Sequence, residues 1–307
     1  MRVLVTGGAG FIGSNLVRRL QEEGQTVTVV DDMSGGEIGF LPKGTDYYIQ
    51  DFASDRVIEM VKDQKFDVIM HLAAKPRVPY SVEFPFDSND TNVSKTLKLM
   101  EAARGNIKRF VNTSSSSVYG DAQILPTPEN HGHFPQSPYA LQKSISESYC
   151  KMFSDLYGMD TVSVRPFNVF GPNQRGDNPY STAVSAWFGA VLNGKPLRSD
   201  GTGEQSRDVT YVDNVVDIMY RCATHGGTFK AEAFNAGTGF SITNNEILAW
   251  FKKTYPDIQI VNAPARKGDV MKTCADVSKA ESVLGYKVLA PFWEGVEKTR
   301  QWVFSGV

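Results

Sequence analysis

A run of aliphatic residues, "RVLVT" at positions 2–6, leads directly into three glycines spaced three apart, Gly7, Gly10 and Gly13. Apolar residues then recur on one helical face at Phe11, Ile12, Leu16, Val17 and Leu20. A buried strand, a glycine turn and an amphipathic helix, in that order, constrain the fold strongly, because the helix must double back onto the strand through a tight turn. "TVTVV" (26–30) reads as a second strand. "YYIQ" (47–50), "DVIMHLA" (67–73), "IKRFVNTSS" (107–115) and "DTVSVRPFNVFG" (160–171) read as further strands separated by helical stretches.

Strands that alternate with helices need right-handed crossovers, which build a parallel sheet covered on both faces. The expected fold is therefore α/β, a doubly wound parallel Rossmann sheet, with residues 1–165 as a dinucleotide-binding domain. After about residue 170 the pattern breaks into shorter pieces punctuated by Pro172, Pro179 and Pro196. Residues 166–307 read as a smaller, irregular substrate-binding lobe, interleaved with the first. The net charge of −2 gives no electrostatic reason to expect nucleic acid or an anionic membrane as a partner. Cys150, Cys222 and Cys274 are widely spaced and odd in number, which suits reduced thiols in the cytoplasm. No metal-ligand spacing occurs, and His131 and His133 of "HGH" read as solvated loop residues. "MRVLVTGGAGFIG" does not read as a signal peptide, and no stretch approaches the roughly 18 apolar residues of a membrane helix.

The glycine turn lets the backbone approach a pyrophosphate, and the following helix offers amide donors and the positive end of its dipole. The second strand ends in Asp31-Asp32. An acid there accepts both ribose hydroxyls of an adenosine and repels a 2′-phosphate, which favours NAD over NADP. Asp51 and Phe52 follow the third strand, where an adenine can dock. Leu72, Ala73 and Ala74, with Asn92 further on, complete the expected cofactor contacts, and His71 reads as structural.

The fifth strand runs into "TSSSSVYG" (113–120), so hydroxyls gather at the carboxyl end of a parallel strand. Tyr139 follows, with Lys143 one helical turn later. Taken alone that spacing is weak, since roughly 0.7 such pairs arise by chance in this chain. Beside a dinucleotide it suits alcohol–ketone chemistry. A phenol of pKa about 10 is a poor base at neutral pH, and an adjacent ammonium favours its ionised form.

The glycine triplet, Asp31, "SSSSVYG", "SPYALQK", "RPFNVFGP", "RDVTYVDNVV" and "RKGDVMKTCADVSKA" occur in the order seen in extended short-chain dehydrogenases/reductases. The chain resembles that family over nearly its whole length, and most closely its UDP-sugar 4-epimerases, which act on UDP-galactose or UDP-N-acetylglucosamine. The resemblance implies a catalytic serine at Ser115, with Ser116 and Ser117 as adjacent alternatives, Tyr139 as acid/base, and Lys143 on the cofactor ribose. It also implies that Asn168, Arg207, Arg266 and Asp269 bind the nucleotide sugar. Arg175 is the counterpart of an arginine that meets the carboxylate in UDP-glucuronate 4-epimerases, although "GPNQRGDNPYS" departs from their pattern. Arg77 and Arg198 are further arginines near these motifs.

Members of the family that dehydrate or decarboxylate carry an acid beside the catalytic hydroxyl. Here only Ser114, Ser115, Ser116 and Ser117 occupy that stretch. The resemblance therefore points to an NAD-dependent isomerase that epimerises C4 through a 4-keto sugar, on UDP-Glc/UDP-Gal or UDP-GlcNAc/UDP-GalNAc. Thr273, small where relatives carry a bulky residue, is compatible with a 2-acetamido group. The alternatives are a UDP-glucuronate 4-epimerase, a nucleotide-sugar reductase of the same fold, and a non-catalytic NAD-binding sensor. Relatives are often homodimers, and the helices around 88–104 and 139–157 are the expected seam.

Overall fold

The computed structural model describes residues 1–176, 182–265 and 270–305. Strand β1 (Arg2–Thr6) feeds helix α1 (Phe11–Glu22), and β2 (Thr26–Asp31), β3 (Asp46–Ile49), α2 (Asp55–Lys62) and β4 (Val68–His71) follow. Two short helices, α3 (Val78–Glu83) and α4 (Pro85–Asn89), lead through a π-helical stretch, Asp90–Lys95, into α5 (Thr96–Ala103). Then come β5 (Arg109–Thr113), α6 (Pro138–Tyr157) and β6 (Thr161–Pro166). The second half adds α7 (Ala183–Leu192), β7 (Leu197–Asp200), β8 (Ser206–Arg207), α8 (Val212–Thr224), β9 (Glu232–Ala236) and β10 (Ile242–Thr243). It ends with α9 (Asn244–Thr254), β11 (Ile260–Ala263), α10 (Ser278–Leu284) and α11 (Phe292–Phe304).

Seven strands form one parallel sheet in the order β3-β2-β1-β4-β5-β6-β9. Successive side chains of β1 go to opposite faces. Val3 and Val5 join Leu16, Val17 and Leu20 of α1 on one side. Leu4 joins Val57 and Val61 of α2 and Leu99 and Met100 of α5 on the other. Each such side chain, fully buried, is worth about 1.5–3 kcal/mol. The strand order reverses between β1 and β4, which opens a crevice at the carboxyl ends of these strands.

The expected α/β sheet is present, with shorter strands than the sequence suggested. The stretch 160–171 is strand only as far as Pro166, whose ring nitrogen has no proton to donate, and Asn168 turns the chain at φ +34°. Strand β5 stops at Thr113, which releases the four serines into a loop and a short 3₁₀ turn. Residue 165 is not a border of the sheet: β9 pairs with β6, and α8 packs on α1. The second half also makes two small sheets, β7 with β11 and β8 with β10.

The turn after β1 folds for a steric reason. Gly7 has φ +69°, and a Cβ there would sit 2.7 Å from the Ala73 amide nitrogen. A Cβ on Gly13 would sit 2.1 Å from the Gly7 carbonyl oxygen. Gly13→Ala is therefore expected to destabilise the protein by about 1–3 kcal/mol, as overpacking of a closed site does. Gly35→Ala, where a Cβ meets nothing within 4 Å, is expected to leave the melting temperature nearly unchanged. Thermal unfolding of the two variants side by side checks the contrast.

Candidate active site

Helix α6 starts cleanly. The Ser137 hydroxyl accepts from the Ala140 amide and Pro138 occupies the first turn, while Gly158 ends the helix in the left-handed region. Tyr139 and Lys143 thus sit in the first two turns, on a face turned toward the end of β5. Both are buried. The Lys143 ammonium donates to the Thr113 carbonyl at 2.7 Å and lies 5.9 Å from the Tyr139 ring centre. The Ser115 hydroxyl lies near enough to the Tyr139 phenol to favour its ionised form. It also accepts from the Ser117 hydroxyl at 2.9 Å and the Ser117 amide at 3.2 Å. Burial pushes the Tyr139 phenol up to about 12, against the lowering effect of Ser115. Burial likewise pushes Lys143 down to about 8, and nearby Glu147 opposes that shift. The structure therefore brings Ser115, Tyr139 and Lys143 together, and among the serines it is Ser115 that bears on the ionisation of the phenol. Ser116 and Ser117 lie in the adjoining 3₁₀ turn.

Sequence reading missed the layer behind this set. Glu147, two turns beyond Tyr139, accepts from Arg165 Nε at 2.9 Å and Arg165 Nη2 at 2.6 Å. The Ser114 hydroxyl also donates to Glu147. Arg165 donates further to the Tyr119 phenol at 2.7 Å, the Glu129 carbonyl at 3.0 Å and His133 Nε2 at 2.8 Å. His133 is thus not a solvated loop residue. Its ring is half-buried and accepts from a guanidinium, and burial first of all lowers its pKa. His131 is also drawn in, its ring edge-on to Tyr119. The available signal was an acid four residues after Lys143 and an arginine inside an apolar strand. His71 is structural as expected: it bridges Thr6 and Thr96 at 2.8 and 2.9 Å, and burial holds it down to about 3.

On the dinucleotide side, no side chain caps the N-terminus of α1. At Gly10 a Cβ would meet only the Gly7 carbonyl, at 3.3 Å. Asp31 is buried at the end of β2, accepting from the Ala9 amide at 3.0 Å and the Met33 amide at 2.9 Å. Burial raises its pKa and the two amides counter it. Each carboxylate oxygen keeps a second lone pair for a ribose hydroxyl. Asp32 is exposed; its carboxyl lies below the usual range because the donors of Ser34, with Lys75 and Lys95, outweigh the cost of burial. These features fit a dinucleotide. Asp51 pairs with Lys95 at 2.7 Å, and Phe52 is buried edge-on to His71. Leu72, Ala73 and Ala74 are half-buried beside the glycine turn. Asn92 grips the Lys75 peptide at 2.8 and 3.1 Å and donates to Gln142 at 2.7 Å. The Thr113 hydroxyl is buried without a hydrogen-bond partner.

On the opposite side, the Asn168 amide donates to the Asp208 carbonyl and the Thr273 hydroxyl, each at 3.2 Å. The Arg207 guanidinium donates to the Ser206 carbonyl at 2.9 Å. Arg175 is exposed and pairs with Glu37, and Arg198 pairs with Asp200 at 2.7 Å. Arg77 is exposed at the start of α3. Arg266 and Asp269 lie outside the described residues. Among the described residues, no group of three or more His, Cys, Asp or Glu side chains comes together to hold a metal, and no helix is long and apolar enough to cross a membrane.

Residues 3–237 match the model of the NAD dependent epimerase/dehydratase family. The chain is 36% identical to the UDP-glucose 4-epimerase of Mycolicibacterium smegmatis, over 97% of each protein. Among solved structures it matches the UDP-N-acetylglucosamine 4-epimerase of Methanobrevibacter ruminantium, in complex with UDP-N-acetylmuramic acid, with TM-score 0.93. That match has 34% identity and covers 100% of this chain and 99% of the other. It also matches UDP-glucose 4-epimerase of Thermotoga maritima with UDP-glucose, TM-score 0.91 and 35% identity over 98% of each chain.

Asp31→Asn is expected to weaken NAD binding by about 10- to 100-fold, because hydrogen bonds to a charged group are worth about 1.5–3 kcal/mol. NADP binding is expected to change far less. Calorimetric titration of both dinucleotides on cofactor-stripped protein checks this; equal losses for the two would mean that Asp31 only braces the turn.

Proposed function

The chain belongs to the NAD dependent epimerase/dehydratase family, and we propose that it interconverts the C4 epimers of a UDP-sugar through a transient 4-keto sugar. One observation carries this reading: Tyr139, Lys143 and Ser115 converge at the end of β5, and the neighbouring acid, Glu147, is already held by Arg165. Elimination of water needs an acid and a base at that point; reversible oxidation at C4 needs a single proton acceptor and donor.

The turn of Gly7, Gly10, Phe11, Ile12 and Gly13 would hold the pyrophosphate of NAD, with Asp31 and Asp32 on its adenosine ribose. Asp51, Phe52, Leu72, Ala73, Ala74 and Asn92 would border it, and Lys143 and Tyr139 would meet the nicotinamide ribose. When bound, NAD supplies the hydride acceptor and a positive ring that favours the phenolate. Tyr139 takes the O4 proton and later returns it. Ser115 donates a hydrogen bond to the same oxygen, and Lys143 stabilises the phenolate by its charge. Asn168, Arg207, Arg266 and Asp269 would grip the nucleoside diphosphate, the planar arginine forks matching phosphate oxygens. Arg175, with Ser116 and Ser117, would border the sugar. The substrate is UDP-Glc/UDP-Gal or UDP-GlcNAc/UDP-GalNAc, the small side chain of Thr273 being compatible with a 2-acetamido group.

The protein also reads as a cytoplasmic homodimer. Its three cysteines are buried and unpaired. Helices α5 and α6 form a cleft lined by Leu97, Tyr149, Met152, Leu156 and Tyr157 together with Glu101 and Arg104, and Met152 and Leu156 are at least half exposed. A second copy of the same face would cover it.

Incubation with UDP-Glc, UDP-GlcNAc and UDP-GlcA separately, each followed by proton NMR, is expected to give the C4 epimer of one of the first two. Tyr139→Phe is expected to lower kcat by about 10²–10⁴-fold, the usual weight of a general acid–base. Turnover of no nucleotide sugar by the NAD-loaded protein would favour the sensor, and turnover of UDP-GlcA alone the glucuronate enzyme. In sedimentation velocity the protein is expected to run as a dimer, and Leu156→Glu as a monomer.

A further inference from the structure

Three consecutive residues at the end of β5 meet three residues spaced one turn apart on α6. The Thr113 carbonyl takes Lys143, the Ser114 hydroxyl donates to Glu147, and the Ser115 hydroxyl stands beside Tyr139. Two of these rungs involve groups that touch cofactor or substrate in the proposed reaction. The middle rung touches neither, yet it is the most firmly built. The Glu147 side chain is only 10% exposed, and Arg165 holds it through two hydrogen bonds. The other three donors of Arg165 go to Tyr119, Glu129 and His133. With all five guanidinium donors engaged, Glu147 has no freedom to turn away from Ser114.

We infer that Glu147 is a positioning residue: anchored by Arg165, it sets the register of the 113–115 rim against α6 through Ser114 and places its carboxylate one turn from Lys143. The geometry gives it both means. Ser114 precedes Ser115 in the chain, so a shift of one moves the other. Glu147 lies one turn beyond Lys143 on the same helix face. Around Lys143 stand Tyr139 and Glu147 on its own helix, the Thr113 carbonyl on β5, and His71 on β4. His71 is neutral at ordinary pH and repels little. Glu147 in turn faces Arg165 on β6 and His133. Glu129, Lys151, Asp276 and Lys279 line the same cleft, of about 650 Å³. Among the groups around Lys143, Glu147 opposes the loss of its proton.

Two variants separate the two means. Glu147→Gln removes the charge. In protein labelled with 13C at lysine Cε, the Lys143 signal, identified by its loss in Lys143→Arg, is expected to titrate at a lower pH than in the wild type. An unchanged midpoint would overturn the inference. Ser114→Ala removes the hydroxyl and leaves the ion pair intact, so it decides the matter if Glu147→Gln does not fold. Its kcat on whichever UDP-sugar turns over is expected to fall about tenfold, with KM within twofold and the protein fully folded at the assay temperature. A kcat equal to wild type would overturn the inference, as would equal changes in kcat and stability alone. Only this kinetic arm rests on the epimerase reading; if no UDP-sugar turns over, that reading fails and the lysine titration still decides the role of Glu147.

Discussion

Lys143 is a cation almost removed from water, and the site is arranged around keeping it there. Burying an ammonium costs several kcal/mol unless it finds partners. Here the partners are a carbonyl at the end of β5, 2.7 Å away, and the charge of Glu147 one turn further along. The carbonyl is fixed by the sheet. Helix α6 therefore cannot slide along its axis without stranding the charge, and Tyr139, one turn earlier, is held with it. A phenol pushed up to about 12 by burial is unreactive until positive charge is brought near. The same burial that raises the phenol also makes each nearby charge count for more.

The sheet determines which groups share this space. Because all seven strands run in one direction, their carboxyl ends lie along a single edge. The glycine turn leaves β1, Leu72 and Ala73 leave β4, and the serines leave β5, at neighbouring positions on that edge. Their closeness is tight in places: Gly7 packs on the Ala73 amide with no room for a methyl group. A parallel order that reverses between β1 and β4 is enough to produce the crevice. The residue types lining it decide its chemistry.

Features with a local signature were legible in the sequence. The glycine spacing, the aspartate closing β2 and the tyrosine–lysine turn each depend on residues close in the chain. Each lies where the strand–helix alternation implied. The ends of β5 and β6 were less legible, because hydrogen-bond pairing stops them rather than a change in hydrophobicity. Glu147, Arg165 and His133 were not legible as a unit at all. They come from a helix, a strand and a loop, and only the fold makes them neighbours. A buried arginine with five donors recruits whatever acceptors surround it, and "HGH" gave no hint that one histidine was such an acceptor. Asn92 likewise carries no sign in sequence of its grip on the Lys75 peptide. The strand β9, "EAFNA", is short and only weakly apolar, so its addition to the sheet beside β6 had little local signal.

The two halves of the chain are also joined beside the glycine turn. Asn15 of α1 donates to the Pro172 carbonyl at 3.0 Å, and Asn173 donates to the Ser14 hydroxyl at 2.9 Å. A loop of the second half is thus bound to the helix that would carry the pyrophosphate. The second half has its own rigid centre in Asp208. Its buried carboxylate accepts from the amides of Thr238, Gly239 and Ala275 and the hydroxyls of Thr210 and Thr238. Burial raises the Asp208 pKa, while these donors oppose the rise, and no basic group is needed beside it. Asp208 follows Arg207, and its carbonyl receives Asn168, so the proposed diphosphate grip grows from this centre. In the proposed reaction a keto sugar must present both faces while its nucleotide stays put. That demands a stiff anchor at the nucleotide end, and Asp208 with its donors, bonded also to Thr273, supplies one.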